Sequence, residues 1–492
     1  MLRTSGVATG GVLLVTGIFH LGFGVDRTSF WSLSPAFIIA FAGYFMVACR
    51  EVKGKQLRLL IGLGIVLRIA LVFAFPLLSD DLYRFLWDGY LINAGENPFA
   101  HLPAHYLDTG NGVLGLTQEL YDKLNSPGYY TIYPPIAQVV FTVATWLSPN
   151  SWYGGVVVMK LFLLACELGS LWLLWQLFVP GAWLLSGAEV EVQGKDEEQR
   201  RSGVAPSNLL FYWLNPLIIV EITGNLHFEG AMVFFLLLAY YLLQRSKWVA
   251  AAAAFAASVA SKLLPLMLLP LLIRRLIDFS RNPVAGNGLL ARTWPFLLFS
   301  VSFGIISLLF FLPFLLSPDF IAGFQSSLEL YQQKFEFNAS LYYIGRAIGY
   351  EQVGWNIIAT LGPWLAKASA GGILLLALLD RRSDWASLPA GWLFAFVLYL
   401  LCATTVHPWY LSVPIVLCCF TQWRFPLVWS FLIMLTYTNY LTDPYEENLW
   451  LVGAEYLFVL GFGLWEWWKC RANQITMLTD GTEVFTPDQQ NN

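Results

Sequence analysis

Apolar runs of membrane-span length recur from one end of this chain to the other, and that recurrence limits the fold before any motif is read. Such runs occupy residues 6–23, 34–49, 57–78, 156–179, 294–316, 355–379, 388–405 and 450–468. A hydrocarbon core about 30 Å thick is crossed by a helix of about 20 apolar residues, because no backbone polar group can stay unpaired in lipid. With 57% hydrophobic and only 12% charged residues in a chain of 492, the sequence reads as an all-α polytopic integral membrane protein. Its net charge of −4 carries little weight, since basic residues in such chains are sorted by side of the membrane. Nucleic acid is not expected as a partner. The six cysteines show neither a pairing pattern nor metal-ligand spacing, so no disulfide framework and no structural zinc are expected.

Basic residues order the topology. Arg50, Lys53, Lys55 and Arg58 form a turn that positive-inside bias places in the cytoplasm, which puts residue 79 onward outside. The run 136–147 is too short for a comfortable span and reads as interfacial or re-entrant. Residues 211–224 then run outward and 231–243 return, with the turn 225–230 (NLHFEG) outside. Taken as one crossing, 249–273 would leave Arg274, Arg275, Arg281 and Arg292 outside. Two short crossings broken near 261–265 keep them inside and leave Lys262 at an outer turn. These choices give about 12–14 helices in a single transmembrane domain over residues 1–472. Its outer loops are 79–133 and 317–354, and 473–492 is expected to be a disordered cytoplasmic tail.

The stretch 79–99, SDDLYRFLWDGYLINAGENPF, holds Asp80, Asp81 and Asp88 at the mouth of an apolar run. Neighbouring carboxylates raise each other's pKa unless a cation, a substrate or water answers them, so their presence beside a bilayer calls for a role. The spacing of Leu82, Phe85, Leu86 and Tyr90 suits an amphipathic helix on the membrane surface. The topology brings these acids to the same side as His227, Glu229, Lys262, the segment 335–346 with Arg346, and His407 to Tyr410. Each has a plainer reading as well. His227 and His407 fit helix caps, Lys262 a snorkelling lysine, and the aromatics an interfacial belt. Asn338-Ala339-Ser340 fits a glycosylation sequon, a weak motif.

Asp80, Tyr83 and Asp88, followed by Gly95, Asn97-Pro98-Phe99 and Tyr133-Pro134-Pro135, resemble the pattern of the GT-C glycosyltransferases, in particular the mannosyltransferases related to GPI mannosyltransferase I and their bacterial polytopic relatives. Asn215-Pro216, Gly224-Asn225, Glu229, Lys262 and His407-Pro408-Trp409-Tyr410 extend the resemblance over most of residues 57–412. It implies a GT-C multi-helix bundle whose first large outer loop carries short amphipathic helices and the catalytic acid. It also implies transfer of a mannose-like hexose from a polyprenyl-phosphate carrier to a glycan, lipid or protein acceptor, outside a bacterial cytoplasmic membrane. The eukaryotic relatives show Asp-x-Asp before the Tyr, whereas here the acids are adjacent and Leu82 holds the second position. No cofactor and no obligatory metal are expected.

The chemistry supports the same choice of residues. An acceptor hydroxyl has a high pKa and needs a carboxylate within hydrogen-bond reach; Asp80 is the first candidate base, and Asp81 the second or its support. A leaving phosphate calls for fixed cations or donors, for which Lys262, Arg346 and His407 are available. Tyr410, His227, Glu229, Asp88 and Tyr83 complete the expected donor-binding set. A competing reading is a flippase or transporter of lipid-linked sugars, prompted by Arg68, Lys160, Glu167, Glu221 and Lys367 within apolar runs. A third is an oligosaccharide ligase of related fold. No paired broken spans in matching halves support transport.

Overall fold

The computed structural model describes residues 2–108, 112–179, 205–277, 289–442 and 444–480. Among them the secondary structure is helical, with one isolated bridge between Phe337 and Thr405. The chain is an all-α, multi-pass integral membrane protein. Six helices among the described residues are long and apolar enough to cross a membrane, and a bent pair makes a seventh. The other expected crossings fall on helices that are apolar but short, such as Trp248–Ser261 and Leu388–Cys402, or on one that is charged.

The first two helices, α1 (Leu2–Phe23) and α2 (Phe30–Ala48), pack backbone against backbone. A Cβ on Gly43 would come within 2.4 Å of the Gly10 carbonyl, and one on Gly17 within 2.6 Å of that of Ala36. Lipid tails are as apolar as leucine, so helices in a bilayer associate where small residues permit close contact. There follow α3 (Gly54–Val72), α4 (Asp81–Asn93), α5 (Pro103–Asp108), α6 (Gln118–Asp122), α7 (Pro135–Leu147) and α8 (Trp152–Phe178). The charge on α3 is Lys55, Arg58 and Arg68.

Most of the charges within apolar runs bridge separate parts of the fold, and Lys367 does not. Arg68 is fully buried, and its Nη2 lies 2.8 Å from Glu167 Oε2 of α8. Tyr212 donates to the other Glu167 oxygen at 2.5 Å, and Arg68 Nη1 donates to the Trp213 carbonyl at 2.8 Å. Lys160 donates to the carbonyls of Leu71 at 2.9 Å and Ala74 at 2.5 Å, where α3 ends. Glu221 accepts from Tyr437 at 2.6 Å, while Lys367 lies over the exposed Trp364 ring.

The helix α4 departs from expectation. It does not lie on a surface with a wet polar face; Leu82 through Leu91 are buried, apart from Tyr83. They pack among Phe141 and Ala144 of α7, Val156 and Met159 of α8, and Phe228. The polar residues tolerate this because they satisfy each other. Arg84 donates to Asp88 at 2.8 Å, and Asp88 also accepts from Thr131 at 2.5 Å and Gln138 at 2.9 Å. Gly89 is the crossing point with α7, where a Cβ would meet the Phe141 carbonyl at 2.4 Å. The two-faced helix is α7, with Val139 and Trp146 exposed and Phe141 and Ala144 buried.

Two later runs are broken. Residues 219–224 wind as a π-helix, and the chain bends by 111° into the helix Glu229–Leu243. The run 249–273 breaks where expected: Trp248–Ser261 ends at Lys262, a 3-10 turn Leu264–Leu268 follows, and Pro270–Ile277 resumes the helix. Pro265 and Pro270 cannot donate to a continuous helix there. The loop 317–354 carries the helices Phe320–Gln333 and Leu341–Val353. The last helix, Leu449–Asp480, runs into the segment 473–492. The rest of that segment, 481–492, lies outside the described residues.

Candidate active site

The end of the run after α3 is tied to the turn at 225–230. Leu78 N donates to Asn225 Oδ1 at 3.1 Å, and Asn225 Nδ2 to the Val220 carbonyl at 3.0 Å. In that turn Leu226 takes φ 67°, uncommon for a residue with a Cβ. Two residues past Leu78, Asp80 stands at the N-cap of α4 and is ion-paired with Arg27 from the α1–α2 connection. Burial raises the Asp80 carboxyl above its ordinary range, and Arg27 opposes the rise. Asp81 accepts from Asn125 Nδ2 at 2.7 Å. Both acids line a cavity of about 400 Å³, together with Arg27, Lys262, His407 and Tyr410.

Lys262 has extended backbone after the helix break, with φ −156°. Its Nζ lies 3.1 Å from Glu229 Oε1 and 5.4 Å from the Tyr133 ring centroid. Glu229 is fully buried, and neither carboxylate oxygen has a hydrogen-bond partner among the described residues, so Lys262 is its compensating charge. Lys262 and Tyr410 also border a second cavity of about 210 Å³, whose walls include Leu263, Leu264, Ala366 and Tyr399. They stand where a carboxylate-lined chamber meets an apolar cleft.

Trp409 stacks on two imidazoles, 3.6 Å from His227 at 14° and 4.5 Å from His407 at 9°. His227 is buried and its Nδ1 donates to the Glu221 carbonyl at 2.9 Å, so it supports Trp409 from outside the cavity. His407 lines the cavity. Burial drives its imidazole down to about 3, against the pull of Asp81. That favours the neutral imidazole, and of the two roles expected of it, cation or donor, the second. Among the described residues no three His, Cys, Asp or Glu side chains come together as metal ligands.

Residues 5–180 match the family model described as alpha-(1->6)-mannopyranosyltransferase, N-terminal domain. Residues 128–338 match that described as GPI transamidase subunit PIG-U. Together the two matches support a likeness to GT-C type, mannosyltransferase-like proteins. The first match takes in Asp80 and Asp81 of the cavity, and the second includes Lys262 and its partner Glu229. A search among curated proteins finds no match.

Of the expected donor-binding residues, Glu229 lines only the second cavity, and three more besides His227 stand away from both. Asp88 is used up inside α4's packing. Tyr83 packs edge-on against Trp152 with Lys123 over its face. Arg346 pairs with Glu336 at 2.5 Å, and it is Glu336 that lines the cavity. The sequon is folded inward: Asn338 Nδ2 donates to Glu455 at 3.1 Å and its backbone N to Glu447 at 2.6 Å. Sequence reading missed Arg27, Asn125 and Glu336 as cavity residues. Arg27 carried one signal, a lone arginine in the connection on the side assigned to the acids.

Proposed function

We propose that this chain is a glycosyltransferase that moves a mannose-like hexose from a polyprenyl-phosphate donor to an acceptor hydroxyl. The position of Lys262 carries the reading. A lipid-phosphate sugar is an apolar chain, one anionic joint and a polar head. The site offers the same sequence of environments: an apolar cleft, an ammonium, and a cavity lined by the carboxylates of Asp80, Asp81 and Glu336.

In this reading Asp80 takes the acceptor proton as the acceptor oxygen bonds to the anomeric carbon. The bond from that carbon to the phosphate oxygen breaks, and its electron pair leaves with the lipid phosphate. Lys262 receives the growing charge, with the neutral imidazole of His407 as a hydrogen-bond donor beside it. Attack on the face opposite the phosphate inverts the anomeric centre. Asp81, held by Asn125, keeps the second carboxylate beside the first. No step is assigned to a metal or cofactor. The acceptor is a glycan, lipid or protein, and the cavity faces outward from a bacterial cytoplasmic membrane.

The test is transfer of radiolabelled sugar by the purified chain in detergent, with polyprenyl-phosphate sugars supplied one at a time together with a membrane extract as acceptor. Transfer of mannose, lost in Asp80→Asn, is expected. The match to a GPI transamidase subunit favours a second reading, a subunit that binds a mannose-containing lipid without turning it over. Specific binding of such a lipid without transfer of any sugar overturns the enzyme reading and favours that one.

A further inference from the structure

Arg27 lies 53 positions before the acid it pairs with and belongs to no motif. It sits in the α1–α2 connection, with its backbone N donating to the Leu77 carbonyl at 3.3 Å and its guanidinium carbon 4.9 Å from the Tyr440 ring centroid. Nη2 holds the Asp80 carboxylate, while Nε and Nη1 have no hydrogen-bond partner among the described residues. The side chain is 30% exposed and lines the same cavity as Lys262. A guanidinium is a rigid plane of five donors, able to serve two anionic acceptors at once, which an ammonium on a flexible stem does not do with fixed geometry.

We infer that Arg27 couples the base to the leaving group: Nη2 stays on Asp80 while Nε or Nη1 donates to an oxygen of the donor phosphate. The inference rests on the lipid-phosphate donor proposed above. It has a consequence for the order of charges. When Asp80 accepts the acceptor's proton it becomes neutral, and its hold on the guanidinium weakens. The electron pair from the broken bond reaches the phosphate oxygen in the same step. Arg27 thus loses one anionic partner as the other gains charge, and no net charge is stranded in the cavity.

Arg27 also governs the ionisation of the base. The groups facing Asp80 are Arg27, Asp81 and Tyr83 on α4, Lys123 beyond α6, and Tyr440 from the C-terminal part of the chain. Of the two cations Arg27 has the larger effect. Its removal leaves the carboxyl harder to ionise, so the acidic limb of the rate profile moves to higher pH.

The experiment uses the full chain in detergent, undecaprenyl phosphate as the probe, and undecaprenol as the uncharged control. Arg27→Met is expected to weaken undecaprenyl phosphate binding by about 10- to 100-fold, to leave undecaprenol binding unchanged, and to shift the acidic limb of kcat/KM upward. Arg27→Lys keeps the charge beside Tyr440 and is expected to hold the limb near wild type while recovering only part of the affinity. Wild-type phosphate affinity in Arg27→Met overturns the ligand role, and an unmoved acidic limb overturns the coupling. Where the Met variant does not fold, full wild-type affinity in Arg27→Lys overturns the two-acceptor geometry. A wild-type chain that binds both lipids equally and transfers no sugar fails earlier, at the donor itself.

Discussion

Lys262 Nζ stands 3.1 Å from Glu229 Oε1, and the buried Glu229 carboxylate has no hydrogen-bond partner among the described residues. A variant at Lys262 therefore does two things at once: it deletes a cation from the cavity and strands an anion behind it. Stranding one member of a fully buried pair costs about 3–5 kcal/mol, and less here because Lys262 keeps 17% exposure. Lys262→Met is expected to lower the thermal midpoint, and Lys262→Met with Glu229→Gln to recover most of that loss. Donor affinity should remain at least about 10-fold weaker in both. Recovery of donor affinity in the double variant would remove Lys262 from the phosphate site.

Asp80→Asn keeps the shape of the side chain and deletes the proton acceptor. Turnover should fall by about 10²- to 10⁴-fold with little change in donor affinity, and Asp81→Asn should cost less. The opposite ranking in kcat would assign the base to Asp81. Because burial raises the Asp80 carboxyl and the ionised form is the base, the wild-type rate should rise with pH through a value above the ordinary carboxylate range.

The parts legible in the sequence were those that depend on local pattern and charge sidedness. The break at Lys262 follows from two nearby prolines and from the arginines beyond it. The convergence of Asp80, Asp81, Lys262, His407 and Tyr410 on one cavity follows from counting crossings. What failed depends on pairing across the fold. Arg84 and Asp88 look like a wet face of α4 because each is charged; only the loop carbonyls and Thr131 and Gln138, brought by tertiary packing, show them to be buried and satisfied. Arg27 and Glu336 carry no periodicity or motif, and their place on the cavity wall is set by partners 53 and 10 positions away.

Asp88 should behave as a structural residue. Its carboxylate gathers Arg84, Thr131 and Gln138, and Arg84 in turn holds the Ser126 and Tyr129 carbonyls. Asp88→Ala leaves a buried guanidinium without its partner and should lower stability by about 3–5 kcal/mol. Thermal unfolding in detergent reads this directly. A variant of wild-type stability that had lost only donor affinity would return Asp88 to the binding site.

The side assignment is tested by single cysteines in a cysteine-free background. Positions 80 and 262 should react with a membrane-impermeant thiol reagent from one side, and positions 50, 275 and 381 from the other. Labelling of 262 from the side of 381 would mean that the break at 261–265 is not an outer turn, and would separate Lys262 from residue 80 and the outer compartment.

Glu447 links pH to the cavity wall. Its Oε1 accepts from Asn338 N at 2.6 Å and from Asn439 Nδ2 at 3.2 Å, and Tyr343 donates to its other oxygen. These bonds hold the segment whose neighbours Phe335, Glu336 and Phe337 line the cavity. Burial lifts the Glu447 carboxyl from 4.5 to about 7, with the Asn338 backbone bond opposing and Glu336 adding to the rise. Between those two values the folded chain holds a proton that the unfolded chain has lost, so stability is full below pH 4.5 and declines as pH rises towards 7. Glu447→Gln removes that proton linkage and keeps the side-chain volume. The wild-type thermal midpoint should therefore fall more steeply than the variant's between about pH 5 and pH 7. Equal slopes would mean that Glu447 titrates in the folded chain as it does in the unfolded one, and that the segment is held by its neutral contacts alone.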